Sequence, residues 1–298
     1  MNNLLDLSGK IDPASLALFE TLSQTAGSLG VPFFVVGATA RDLIFELGHG
    51  LPSKRGTLDR DFGVRVSSWG EFNKLKELLL TTGLFEKTKE VQRLQYRGEL
   101  LVDILPFGDI ADAKGEIRWP PDEDVVMSTV GFEDAYQAAL AARVRASPPL
   151  DIRVASTPGL TILKLVSWAD RPRDRSRDAA DLAHILENYL DAGNLDRLYE
   201  EHMDLVDNEG FDYIRAGARL LGRDIARIGQ PKTIGRVREI LARETAKEGQ
   251  YSLIQAMMAG RGASDEEREN RFEELLNLLR ELVKGIEDRW QAQRRPVR

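Results

Sequence analysis

The chain has 298 residues, a formal charge of −7, 42% hydrophobic and 30% charged residues, a size that exceeds one ordinary domain and predicts two domains sharing a cleft. The acidic balance excludes a protein that coats nucleic acid by neutralising many phosphates, and the absence of cysteine excludes disulfides, a thiol nucleophile and Cys-ligated zinc. No segment nears the roughly 18 apolar residues of a membrane span, and the opening MNNLLDLSGKIDP lacks a secretion signal, so a cytoplasmic location with no membrane partner is expected.

Asp12-Pro13 followed by Leu16, Phe19, Leu22 and Leu29 predicts a capped amphipathic helix, since Asp favours the N-cap and Pro the first helical position. Val31 to Val36 is apolar and ends at Gly37, and Ala38 to Leu47 carries an apolar helical face; this is strand, tight turn, helix. Gly48 to Thr57 is predicted as a loop, Arg60 to Val66 as a strand and Trp69 to Leu80 as a helix. Phe85 to Arg97 reads as one or two strands and Leu100 to Phe107 as a buried one closed by Pro106, with loop as far as Pro121. A short helix near Phe132 precedes a hairpin of Ala142 to Ala146 and Asp151 to Ala155 around Ser147-Pro-Pro149.

From Thr157-Pro158 onward the periodicity is helical, so the chain changes class near residue 156. In the last helix Ser264 and Glu267 fit a capping box. Phe272, Leu275, Leu276, Leu279, Leu282, Val283, Ile286 and Trp290 mark one face, either core or partner surface. Two basic runs, Arg171 to Arg177 and Arg294 to Arg298, are the candidate local basic patches, although such runs are ordinarily solvated faces.

Asp59 and Asp61 stand two residues apart at the start of a strand, and the period of two points both carboxylates to one face. A divalent cation makes such a pair favourable, because Mg²⁺ takes one or two carboxylates together with substrate phosphates; a solvated strand end beside Arg60 or Arg65 is the other reading. Asp103 interrupts the apolar run Leu100-Leu-Val-Asp-Ile-Leu-Pro-Phe107. A buried carboxylate must be paired or metal-bound. Asp103 therefore predicts either a core salt bridge or a third ligand, in a site where two metals roughly 3.5–4 Å apart stabilise an in-line phosphoryl displacement.

Gly37, between strand and helix, either lets backbone N–H groups approach phosphates or serves as a plain turn. Neither GxxxxGK[ST] nor GxGxxG occurs, which argues against P-loop and dinucleotide enzymes. Lys164 lies with Thr161 and Ser167 on the polar stripe of an otherwise apolar helix; it either snorkels to solvent or faces a cleft and holds a triphosphate. Asp174, Asp178 and Asp181 share a helix face, as partners of Arg175 and Arg177, as charges near a helix N-terminus, or as functional groups. His49, His184 and His202 show neither ligand spacing nor a triad and receive no role.

Several of these segments together resemble the polymerase-β-like nucleotidyltransferase superfamily and, within it, the AbiEii-type toxins of bacterial type IV toxin–antitoxin systems. They are Val35-Val-Gly-Ala-Thr-Ala-Arg-Asp-Leu43, Thr57-Leu-Asp-Arg-Asp-Phe62, Val102-Asp-Ile-Leu-Pro-Phe-Gly108, Ala155 to Leu165 and Arg177-Asp-Ala-Ala-Asp-Leu182. The resemblance implies an α/β (α+β) nucleotidyltransferase domain with a mixed sheet over residues 1–156, followed by an all-helical C-terminal domain over 157–298. It implies that Asp59 and Asp61 bind metal, that Asp103 shares a metal and helps activate the acceptor hydroxyl, and that Gly37, Ala38 and Thr39 contact the triphosphate. Lys164 would hold phosphates and Asp178 or Asp181 would supply the acidic position of the C-terminal motif. The implied cofactor is Mg²⁺ or Mn²⁺, as two ions, with an NTP as substrate, tRNA or protein as acceptor and a cognate antitoxin as partner.

Two departures stand out. The family turn is commonly Gly-Gly or Gly-Ser, and here Gly37-Ala38 leaves any side-chain phosphate contact to Thr39 or Arg41. Asp59 also follows Gly37 at a longer spacing than usual, which implies an inserted loop at Gly48 to Thr57. The segment Val36 to Leu43 further resembles the opening of tRNA 3′-end nucleotidyltransferases, and antibiotic nucleotidyltransferases of the aminoglycoside type share the core motifs. A catalytically silent nucleotide-binding scaffold is the reading from another class.

Overall fold

Asp12 opens the first helix, α1 (Pro13–Ser28), by accepting a hydrogen bond from the Ser15 N–H at 2.9 Å, and Pro13 occupies a position whose N–H has no helical acceptor. In this computed structural model residues 4–53, 59–172, 176–207, 210–259 and 264–294 are described, the last five as backbone only. The expectations for Lys54 to Thr57 of the loop, for Arg173, Asp174 and Arg175, for residues 295–298 and for the Trp290 side chain lie outside the described residues. The chain divides into two compact units, Met1–Ser156 and Thr157–Arg298.

Among the described residues the first unit is built on one mixed sheet of eight strands. They are β1 (Leu5–Asp6), β2 (Phe33–Val36), β3 (Asp59–Arg65), β4 (Phe85–Lys87), β5 (Arg93–Tyr96), β6 (Leu100–Phe107) and, after the separate ribbon of β7 (Glu116–Arg118) and β8 (Val126–Ser128), β9 (Leu140–Arg145) and β10 (Leu150–Val154). Their spatial order is β1-β9-β10-β2-β3-β6-β5-β4. Between strands run α2 (Gly37–Arg41), continued by wider turns over Asp42–Gly48, α3 (Trp69–Thr81) and α4 (Phe132–Gln137).

Alternation along the central strands assigns each residue to one of two faces. One face holds Val35, Phe62, Val64, Val102 and Ile104, all inaccessible to solvent, with Phe19 of α1 edge-on to Phe62. The other holds Phe34 and Phe107, which pack edge-on or tilted against Phe132 and Tyr136. Gly63 admits the Phe34 ring, since a Cβ there would stand 2.9 Å from its Cδ1.

This alternation corrects three expectations. From Leu100 to Pro106 strand β6 is fully buried on one face only, and Asp103 lies on the other, its side chain 14% exposed. Pro106 does not close that strand, which pairs it with Val64 and runs to Phe107. The stretch expected as loop before Pro121 contains β7, paired with β8; strands of three residues carry too short a pattern to be read.

The second unit is helical: α5 (Thr157–Asp170), α6 (Ser176–Asn188), α7 (Leu195–Glu201), α8 (Tyr213–Ile228), α9 (Pro231–Thr245), α10 (Ser252–Met258) and α11 (Asp265–Arg294). The capping box forms, with Ser264 N–H donating to Glu267 Oε2 at 2.8 Å and Glu267 N–H to Ser264 Oγ at 3.3 Å. Leu275, Leu276, Leu279, Leu282 and Ile286 are buried, so that stripe of α11 is core. It crosses α8 at two glycines; a Cβ on Gly222 would stand 2.9 Å from the Gly285 Cα, and one on Gly285 would overlap the Arg219 carbonyl oxygen. Among the described residues no helix is long and apolar enough to cross a membrane.

A buried network also fixes α8. Arg197 donates to both oxygens of Asp224 at 2.9 Å, and the Tyr189 hydroxyl donates to Oδ2 at 2.5 Å. Burial alone would raise the Asp224 carboxyl, but these bonds outweigh it and hold its pKa below the usual value. A depressed folded pKa contributes stability above the unfolded carboxyl value of about 4, and that contribution is lost as the pH falls through the folded pKa. Asp224→Asn is therefore expected to flatten the loss of stability between about pH 5 and pH 2, measured by urea melts across that range. An unchanged slope would remove Asp224 from the acid sensitivity of the fold.

Candidate active site

The turn after β2 is determined by two independent constraints on Gly37. Its φ is +64°, and a Cβ there would overlap Asp61 Oδ2 and stand 2.7 Å from the carboxyl carbon. The close approach follows from register, because Val36, the last residue of β2, pairs with Asp61. Thr39 is buried and its hydroxyl donates to the Asp59 main-chain carbonyl at 3.2 Å, tying the start of α2 to β3. Arg41 is also buried, and its Nε donates to Asp42 Oδ1 at 2.9 Å. Ala38 lies between them in the first turn of α2, and no side chain caps that turn.

Asp59 and Asp61 project from the same face of β3, as period two requires. The parallel pairing of β3 with β6 sets Asp61 directly beside Asp103, so three carboxylates belong to one sheet face on adjacent strands. Arg93, which the sequence reading did not single out, joins them. It pairs with Asp103 across the β5–β6 hairpin, donates from Nε to Oδ1 at 2.7 Å and from Nη2 to Oδ2 at 2.8 Å, and lies 3.5 Å from Asp59 Oδ2. The hydrogen bond to Asp103 raises the Arg93 pKa further above its ordinary value; burial opposes this, and the charges of Asp103 and Asp59 add to it.

The donor set suits a divalent cation. Its oxygens are hard ligands, Asp61 lies close against the Gly37 turn, and a guanidinium already bridges Asp103 and Asp59 as a cation would. As the side chains stand, Arg93 takes both Asp103 oxygens, and among the described residues no group of three or more His, Cys, Asp or Glu is arranged to hold a metal ion. Asp103 is thus ion-paired with Arg93.

In the second unit Lys164 neither snorkels nor points to water. It is 3% exposed, and its ammonium donates to Asp178 Oδ1 at 3.1 Å and to Asp181 Oδ2. Burial opposes its charge, but the two carboxylates prevail and raise its pKa. The remaining stripe residues are engaged too, Ser167 Oγ donating to Asp178 Oδ2 at 3.1 Å and Thr161 Oγ1 to the Thr157 carbonyl at 2.8 Å. α5 and α6 thus bring Lys164, Asp178 and Asp181 together.

Comparison with solved structures finds the antibiotic-resistance factor ANT(2'')-Ia at 13% identity, covering 66% of this chain and 97% of that one, with a TM-score of 0.35. A CCA-adding enzyme with CTP is 16% identical over 87% of this chain and 55% of that one, at a TM-score of 0.32. The Thermotoga maritima CCA-adding enzyme complexed with tRNA is 14% identical over 96% of this chain and 84% of that one, at a TM-score of 0.30. No curated protein matches the chain. The family model described as nucleotidyl transferase AbiEii toxin, type IV toxin–antitoxin system, matches residues 20–292, nearly the whole length; the chain belongs to this family and is a nucleotidyl-transfer enzyme.

Proposed function

We propose that the enzyme transfers an NMP group from an NTP to a hydroxyl of tRNA, in a reaction that requires Mg²⁺ or Mn²⁺, and that it acts as the toxin of a toxin–antitoxin pair. The acceptor oxygen attacks the α-phosphorus in line, the bond from that phosphorus to the pyrophosphate oxygen breaks, and the hydroxyl proton is lost. Asp59, Asp61 and Asp103 would hold the metal, which when bound neutralises charge developing on the phosphate oxygens. The observation that carries this reading is the placing of these carboxylates on one sheet face beside the Gly37 turn.

Within the reading each residue has a limited task. Gly37 keeps side-chain bulk away from Asp61, so that a phosphate can approach the backbone of Gly37, Ala38 and Thr39. Thr39 holds the turn on β3 through the Asp59 carbonyl. Arg41, bonded to Asp42, is with Thr39 a side chain of this turn proposed to contact the nucleotide. Asp103 would orient the acceptor hydroxyl and receive its proton, a positioning and general-base task. Lys164, Asp178 and Asp181, which are ion-paired with one another, enter as one group with a task in nucleotide binding. The tRNA acceptor is supported by the likeness of Val36 to Leu43 to the opening of tRNA 3′-end nucleotidyltransferases.

The test is transfer of α-³²P label from each of the four NTPs, with and without Mn²⁺ or Mg²⁺, into total tRNA, total protein and a panel of aminoglycosides. Metal-dependent label in tRNA is the expected result. Label in the aminoglycosides instead would replace the acceptor with a small cationic drug. Label in no fraction, with no binding of NTP, would leave a nucleotidyltransferase fold without the reaction and overturn the proposal.

A further inference from the structure

We infer that Arg93 is a positioning residue, an internal counter-ion that occupies Asp103 until a divalent cation displaces it. The inference rests on the reading of Asp59, Asp61 and Asp103 as metal ligands and adds a competitor to it. The register leaves Arg93 little freedom. Arg97 and Gly98 adopt φ of +49° and +70° at the tip of the β5–β6 hairpin, Tyr96 pairs with Leu100, and Arg93 is thereby held directly across from Asp103 on the same face.

The fork of the guanidinium matches a carboxylate in a way that a point charge does not. Its Nε and Nη2 use both Asp103 oxygens, at 2.7 and 2.8 Å, and the same Nη2 approaches Asp59 Oδ2 at 3.5 Å. An ion that takes Asp103 through the inward-facing lone pairs between its two oxygens, the side the fork occupies, replaces at least one of these N–H bonds. The Arg93 side chain is 25% exposed, so it has water to move into when displaced. Two states of Asp103 compete for the same lone pairs: latched to Arg93, and open to the cation. The latch offsets the repulsion among three neighbouring carboxylates when no metal is bound and weakens the apparent affinity for the metal.

The experiment is titration of the full chain with Mn²⁺ alone, followed by electron paramagnetic resonance of the free ion, in wild type, Arg93→Gln, Arg93→Lys and Asp59→Asn/Asp61→Asn. The latch predicts that Arg93→Gln binds Mn²⁺ more tightly than wild type by on the order of tenfold. Arg93→Lys, which keeps the charge but loses the fork, should fall between the two, and it carries the test if Arg93→Gln does not fold. A merely structural arginine would leave the affinity unchanged or weaken it. Mn²⁺ binding that is lost in Asp59→Asn/Asp61→Asn but unchanged or weaker in the Arg93 variants would overturn the latch alone. Mn²⁺ binding that is absent in wild type, or indifferent to Asp59 and Asp61, would overturn the metal site and the latch with it.

Discussion

Asp59→Asn combined with Asp61→Asn is expected to lower kcat at least about a thousandfold while leaving the melting temperature within about 3 °C of wild type. The loss follows from the proposed task of the two carboxylates, since removing fixed charge that faces the reacting phosphate forfeits several kcal/mol of transition-state stabilisation. The tolerance of the fold follows from where the bonds go. The Thr39 hydroxyl is accepted by the Asp59 main-chain carbonyl, which asparagine keeps, and Arg93 retains its two bonds to Asp103. Amides of the same shape also remove repulsion between like charges. Single-turnover kinetics with saturating NTP and a thermal melt by circular dichroism check both halves. A variant with kcat near wild type would take Asp59 and Asp61 out of the chemistry; one that melts far below wild type would make them structural.

Gly37→Ala is expected to reduce kcat/KM by about a hundredfold or more and to cost about 1–2 kcal/mol of stability. The stability term comes from a φ of +64°, which an L-residue with a Cβ adopts at a penalty of about that size. The functional term is larger because the new methyl group would overlap Asp61 Oδ2. The carboxylate must swing aside or the turn must shift, and a displacement of about 1 Å at a positioned group commonly costs two orders of magnitude in rate. Paired measurements of kcat/KM and of the urea midpoint separate the two terms. Full activity in Gly37→Ala would mean that neither the turn nor Asp61 is held where the chemistry occurs.

Part of the site was legible before any tertiary contact was known. Asp59 and Asp61 share a face because two is the period of a strand, and Gly37 was marked by its place between an apolar strand and a helical stripe. The outlines of α1, α3 and the capping box of α11 were likewise carried by local chemistry: an Asp-Pro start, a 3.6-residue apolar period and a Ser–Glu pair three apart. Arg93 was within reach too. Had the tight turn at Arg97-Gly98 been used to count outward from Tyr96 and Leu100, position 93 would have fallen opposite 103.

What the sequence by itself determined is therefore the set of residues available to each face and the point near residue 156 where strands give way to helices. These depend on interactions within a few residues of chain. The tertiary structure alone decided which strands are neighbours, and with them whether Asp103 meets Asp61 across a parallel pair and Arg93 across an antiparallel one. It also decided that Lys164 is neutralised by Asp178 and Asp181 instead of reaching water. Strand order and helix pairing are set by burial summed over the whole unit, so no local pattern specifies them, and each of these groups meets its ion-pair partner only in the folded unit.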